Sequence, residues 1–235
     1  MSEHLLMPMG GKRVRIFPGP AGSPVVYLND PMDRGIKIHT LLKEENCPPH
    51  TLVEISGLNW DDDMTPWYCP ALTKGDTPCA GKADAYLSWM IQRLIPAVEK
   101  HLEDPNGRIL TGYSLAGLFA VYALYRTDVF RCVGSMSGSL WYPDFLEYTR
   151  THTMVRRPDC IYFSLGDKEK NSAVELLQSV QDRTEAVYED CRGAGIPTIF
   201  ELNPGNHYQF SDQRTARGIV WILRQERTED AYESK

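Results

Sequence analysis

The sequence predicts an α/β domain, a mostly parallel central sheet with helices packed on both faces. Three observations point there. Short apolar or alternating runs bounded by turn residues recur at 12–17, 24–28, 51–56, 108–111, 132–137, 160–165 and 198–202. Longer amphipathic stretches, 83–102, 115–125, 172–192 and 215–225, separate the later runs, and strands that alternate with helices build parallel sheets covered on both sides. Finally, 235 residues with 42% hydrophobic content suit one well-developed core, and no repeat or low-complexity linker divides them. Residues 1–235 therefore read as one domain, with a charged tail over 226–235 expected to fray.

In chain order, 12–17 (KRVRIF) alternates polar and apolar residues, whereas 24–28 (PVVYL) is a short continuous apolar run; strands show both patterns. A short helix is expected around 36–43 within the connection 29–49. After the run 51–56 comes a long connection, 61–82, with Pro66, Pro70, Pro78, two glycines and Trp67. A segment of that length without periodicity reads as a functional loop or partial lid over a site. The helical stretch 83–102 carries Pro96, which should kink or restart it. No large insertion suggests a separate lid domain.

Bulk properties exclude several classes. A net charge of −6 and a pI near 5.5 leave no basic stripe, so no nucleic-acid partner is expected. No apolar run approaches the ~20 residues of a membrane span, and the amino terminus lacks a secretory pattern, so a cytoplasmic location without membrane attachment is expected. Six cysteines are scattered without paired spacing and are expected to stay reduced. Cys69 and Cys79 are the exceptions to watch, because their Pro- and Gly-rich segment suggests exposure. No His/Cys/Asp cluster has metal-ligand spacing and no phosphate or dinucleotide fingerprint occurs, so neither a metal nor a cofactor is expected.

The chemistry concentrates at strand ends. Ser114 sits in Gly112-Tyr113-Ser114-Leu115-Ala116-Gly117, between the run 108–111 and a helical stretch. A serine on such a turn exposes its hydroxyl at the carboxyl edge of the sheet and aims the next N–H, that of Leu115, at a reacting carbonyl oxygen. Alone the pattern is weak, since a serine in an ordinary turn or helix cap gives the same letters. The other strand ends supply partners. His207 follows the last strand in Asn203-Pro204-Gly205-Asn206-His207-Tyr208 and is the candidate general base. After 160–165 come two competing carboxylates, Asp167 and Glu169; Glu169 has the greater reach toward an imidazole and is favoured, with Asp167 as the runner-up. After 24–28, Asn29-Asp30-Pro31-Met32 should carry a second oxyanion donor. Pro31 has no N–H, which leaves Met32. Trp60, Trp67, Trp141 and Tyr208 are candidate walls of a substrate pocket.

GYSLAG, FSLGDKEKN and ELNPGNHYQF, with YLNDP near the start, resemble the esterase family of the α/β-hydrolase superfamily, which includes enterobactin-type siderophore esterases and esterase D-like enzymes. The resemblance runs from about Val25 to Leu223 and holds several motifs in the family's order. It implies an α/β-hydrolase fold, a serine carboxylic ester hydrolase, Ser114 as nucleophile and His207 as base. It also implies an acid after the glycine that ends the penultimate strand, where Glu169 stands. Some siderophore esterases work as a Ser–His dyad, so Glu169, Asp167 and no acid all stay open. The implied partner is a small-molecule ester: a siderophore, a feruloyl or acetylated sugar, or another small ester. An acyltransferase with the same residues and a non-catalytic binding module are the alternatives. The sequence sets no oligomeric state.

Overall fold

Eight strands form one sheet in the order β1-β2-β4-β3-β5-β6-β7-β8. A computed structural model describes residues 4–233, with side chains to residue 225, so the expected fraying tail at 226–235 falls outside the fully described part. The strands are β1 (Leu5–Met9), β2 (Lys12–Phe17), β3 (Val25–Asn29), β4 (Thr51–Ser56), β5 (Arg108–Tyr113), β6 (Cys132–Met136), β7 (Cys160–Gly166) and β8 (Thr198–Asn203). Strands β1 and β2 form an antiparallel hairpin, and β2 pairs antiparallel with β4. From β4 to β8 every neighbour is parallel. This is the architecture of the α/β-hydrolase fold, without a separate lid domain among the described residues.

Among the described residues, the α-helices are α1 (Gly35–Glu44), α2 (Trp60–Asp63), α3 (Ala83–Trp89), α4 (Ile95–Glu99), α5 (Leu115–Ala123), α6 (Phe145–Thr151), α7 (Glu175–Gln178), α8 (Val180–Gly193) and α9 (Ser211–Glu233). Side chains of the central strands alternate between two cores. Val25 and Tyr27 of β3 face one core with α3, α4, α5 and α8, while Val26 and Leu28 face the other with α1 and α9. A strand buried on both faces favours apolar residues on both, which is why 24–28 reads as a continuous run.

The stretch around Pro96 is one continuous path with a π-helical turn, Met90–Leu94, between α3 and α4. Pro96 has no N–H for an ordinary helical bond. The ladder adapts just upstream, where Ile95 N–H donates five residues back to Met90 O. The strand β1 has no counterpart in the sequence reading. It carries Pro8 and lacks alternation, features that an edge strand tolerates and an interior strand does not. Among the described residues no helix is long and apolar enough to cross a membrane.

Candidate active site

The turn between β5 and α5 holds Ser114 at φ 59° and ψ −125°, a conformation that costs a non-glycine residue about 1–3 kcal/mol. Its neighbours over-determine it. Ser114 N–H donates to Met136 O at 3.1 Å, and Ser114 O accepts from Gly117 N–H at 2.9 Å and Ser139 N–H at 3.0 Å. The local sequence is what permits the turn. A Cβ on Gly112 would lie 2.4 Å from Ala116 Cβ, and one on Gly117 would lie 2.8 Å from Gly138 Cα. The methyl of Ala116 thus occupies space left by the missing side chain of Gly112. An alanine at the motif's usual last glycine is accommodated for that reason.

Parallel pairing carries the partners to the same edge. His207 follows β8 and Glu169 follows β7, and β7 stands one strand from β6, which pairs with β5. His207 Nε2 lies 3.0 Å from Ser114 Oγ, and His207 Nδ1 lies 2.7 Å from Glu169 Oε2. Glu169 Oε1 accepts from Ser137 Oγ at 2.6 Å, Gly166 N–H at 2.6 Å and Arg214 Nη1 at 2.9 Å. Burial raises the carboxyl's pKa, but the hydrogen bond and charge of His207, with the Ser137 and Gly166 donors, outweigh it and hold the group below its ordinary value. Glu169 is therefore ionised at neutral pH and is aimed at the imidazole.

Asp167 does different work. Its Oδ1 accepts from Gly205 N–H at 2.9 Å, so it braces the loop that carries the histidine. The same loop is pinned by Tyr113, whose hydroxyl donates to His207 O at 2.7 Å. Asn206 Oδ1 accepts from Tyr208 N–H at 3.0 Å, a side-chain turn of the kind Asn favours.

A cleft of about 690 Å³ opens above Ser114, within the usual range for small-molecule sites. Leu115, Trp141 and Tyr208 line it, as does Trp60. Trp67 is not among its lining residues. Its indole packs with Tyr142, Phe145 and Tyr148, and Nε1–H donates to Pro143 O at 3.0 Å. The indole is thus a strut under the 61–82 connection, which corrects its expected place in the pocket wall. Met32 is also outside the lining, with an exposed side chain. Its backbone still starts from the right edge, because Asn29 of β3 stands beside Gly112 of β5. Met32 N–H makes only a long contact, 3.4 Å, with Asp30 Oδ1.

Several residues at the site escaped the sequence reading. Arg214, at 2% exposure, links Glu169, Ser137 and the Tyr113 hydroxyl. An arginine in the first turn of the final helix, soon after His207, was the only signal of it. Ser139 Oγ lies 3.4 Å from Ser114 Oγ. Among the described residues, no group of three or more His, Cys, Asp or Glu is placed to hold a metal ion.

Residues 13–206 match the family model Esterase, described as "Putative esterase". The chain belongs to this esterase family. It is thereby an ester-hydrolysing enzyme. It is 22% identical to the uncharacterized protein YbbA of Bacillus subtilis, over 97% of this chain and 98% of that one. Among solved structures, the esterase-family chain is similar to the siderophore hydrolase EstA of Aspergillus nidulans, with a TM-score of 0.75 at 17% identity over 94% of this chain and 93% of that one. It is also similar to an IroE-like serine hydrolase of Shewanella oneidensis, with a TM-score of 0.80 at 19% identity over 94% and 79%. The enterobactin esterase FES of Shigella flexneri gives a TM-score of 0.68 at 19% identity, over 94% of this chain and 59% of that longer one.

Proposed function

We propose that this esterase-family enzyme is a serine carboxylic ester hydrolase that works through an acyl-enzyme on Ser114. The observation that carries the reading is the continuous hydrogen-bonded line Ser114 Oγ, His207 Nε2, His207 Nδ1, Glu169 Oε2, with spacings of 3.0 and 2.7 Å about the imidazole. Ser114 Oγ attacks the ester carbonyl as His207 Nε2 takes its proton. Glu169 holds the tautomer with Nδ1–H toward itself and stabilises the imidazolium. The oxyanion faces Leu115 N–H, one of the first N–H groups of α5, which have no carbonyl partner within the helix. Met32 N–H is the second donor in this proposal. The imidazolium then gives its proton to the leaving alcohol. Water activated by His207 releases the acid and frees Ser114.

The substrate is a small ester with an aromatic or extended apolar part, to suit Trp60, Trp141 and Tyr208 beside the nucleophile. Siderophore esters, feruloyl or acetylated sugars and other small esters share that description. Structural similarity to a siderophore hydrolase, an enterobactin esterase and a ferulic acid esterase supports the first two. The site lies within a chain expected to act in the cytoplasm. Hydrolysis of a p-nitrophenyl acyl ester tests the reading: Ser114→Ala should lower turnover by at least ~10³-fold. Retention of the wild-type rate rejects it. Adding an alcohol acceptor tests the transferase alternative, and hydrolysis products should still dominate at modest acceptor concentration.

A further inference from the structure

The 61–82 connection contains two thiols that the proposed reaction does not use. Cys69 N–H donates to Cys79 O at 3.0 Å, and Cys79 N–H donates to Cys69 O at 2.9 Å. This reciprocal exchange makes them the directly opposed residues of an isolated antiparallel bridge. Such residues have Cα atoms about 5.5 Å apart and side chains on the same side of the ribbon. Disulfides span Cα separations of about 4.4–6.8 Å, most often near 5.5–6 Å. The backbone thus already holds the two Cα atoms at bridging distance, and the Cβ atoms, about 4.5–5.5 Å apart in such a pair, need close by only about 1 Å to reach the roughly 3.5–4.5 Å of a disulfide. Both thiols are free, Cys69 buried and Cys79 half-buried, and both border the cleft above Ser114.

The two limbs that carry the cysteines are firmly rooted. Ala80 N–H donates to Asp62 Oδ1 at 2.9 Å, and the Tyr142 hydroxyl donates to Trp67 O at 2.6 Å. Gly81, at φ +73°, approaches so closely that a Cβ there would lie 2.3 Å from Trp67 Cα. Beyond the pair, 70–78 is exposed apart from Leu72, and its tip is a turn in which Thr73 N–H donates to Asp76 Oδ2 at 2.9 Å. Pro70, Leu72, Gly75, Asp76 and Thr77 from this tip wall the cleft.

We propose that Cys69 and Cys79 are an oxidisable pair, closed by exchange with a low-molecular-weight disulfide into a bridge that staples the 70–78 loop beside the cleft. Cys79, the more accessible, attacks one sulfur of the small disulfide as the thiolate, forming a mixed disulfide and releasing one small thiol. The Cys69 thiolate then attacks Cys79 Sγ and releases the second. Two protein thiols are oxidised while one small disulfide is reduced to two thiols. Burial pushes both thiols up; at Cys79 the Tyr142 hydroxyl opposes this, while Asp61, Cys69 and Asp62 add to it. The exchange therefore quickens as pH rises.

Oxidised glutathione is the probe. The folded protein is equilibrated with it, blocked with iodoacetamide, digested with trypsin and mapped without reduction. A cross-link between peptides 44–74 and 75–82 that separates on reduction is expected. Cys47 shares the first peptide, so Cys69→Ser must abolish the link and Cys47→Ser must leave it. Full alkylation of both thiols, or a link that survives Cys69→Ser, overturns the proposal. Should Cys69→Ser not fold, fragmentation of the wild-type cross-linked peptide assigns the bridged cysteine by itself.

The effect on the cleft rests on the esterase reading. Oxidation should change KM for a bulky aryl ester by at least about threefold, reversibly with reductant, and the double variant Cys69→Ser/Cys79→Ser should not respond. An unaltered KM in the bridged wild type overturns the stapling. Absence of turnover in both redox forms would instead count against the esterase reading and leave the peptide map standing.

Discussion

At the scale of single residues, the site separates two neighbouring carboxylates by what they touch. Glu169 meets the imidazole at 2.7 Å, whereas Asp167 accepts a backbone N–H from Gly205 at 2.9 Å. Glu169→Gln should therefore lower kcat for a p-nitrophenyl ester by about 10²–10⁴-fold, because the amide no longer stabilises the imidazolium. Asp167→Asn keeps an oxygen for Gly205 and should cost less than about tenfold in the same assay. Arg214 acts behind Glu169. Its guanidinium is fully enclosed, and Arg214→Leu strips donors from Glu169 and Tyr113. Breaking such a buried pair costs about 3–5 kcal/mol, to be read in urea unfolding. Ser114 and His207, the proposed nucleophile and base, were legible in the sequence because each sits in a loop shaped by glycine directly after a strand. Arg214 was not, since its importance depends on α9 folding back against β5 and β7, a contact no local pattern encodes. Trp67 misled for a related reason: an aromatic residue in a loop has the same letters whether it faces the cleft or braces the loop from beneath.

At the scale of elements, the turn before α5 is where sequence and geometry agree most closely. Gly112 is required by contact, because an added methyl would lie 2.4 Å from Ala116 Cβ and 2.5 Å from its carbonyl carbon. Gly112→Ala should lower stability by about 1–3 kcal/mol in thermal unfolding and displace Ser114 enough to reduce turnover as well. Gly193 is the contrast: a methyl added there would meet no neighbouring atom within 4 Å, and Gly193→Ala should leave stability within about 0.5 kcal/mol. Strands buried on both faces were legible as apolar runs. The helix boundaries were less so: 172–192 divides into α7 and α8, and α9 begins at Ser211, before the expected 215. Helix ends depend on caps and tertiary contacts more than on periodicity. Strand β1 was invisible because pairing with β2 along one edge asks for neither alternation nor a proline-free run.

At the scale of the whole molecule, two cores sandwich the sheet, and one of its interior strands holds a buried acid. Glu54 of β4 is fully enclosed, pairs with Arg15 and accepts from Gly35 N–H. Burial pushes its carboxyl from 4.5 up to about 7, against the Gly35 N–H and the Arg15 charge, which favour the ionised form. The folded state therefore holds this proton more tightly than the unfolded chain does, and stability from this group falls as pH rises from about 4.5 to about 7. Glu54→Gln carries no such penalty. The difference in Tm, variant minus wild type, should become more positive across that window, and a difference that is flat with pH would show that Glu54 ionises alike in both states.

All of these expectations about catalysis hang on Ser114 as the attacking atom, which a fluorophosphonate probe tests directly with intact mass and peptide mapping of the folded protein. One adduct is expected, on Ser114, absent in Ser114→Ala and strongly slowed in His207→Ala. No adduct on the folded wild type, or ester turnover that persists in Ser114→Ala, would rule out Ser114 as the nucleophile.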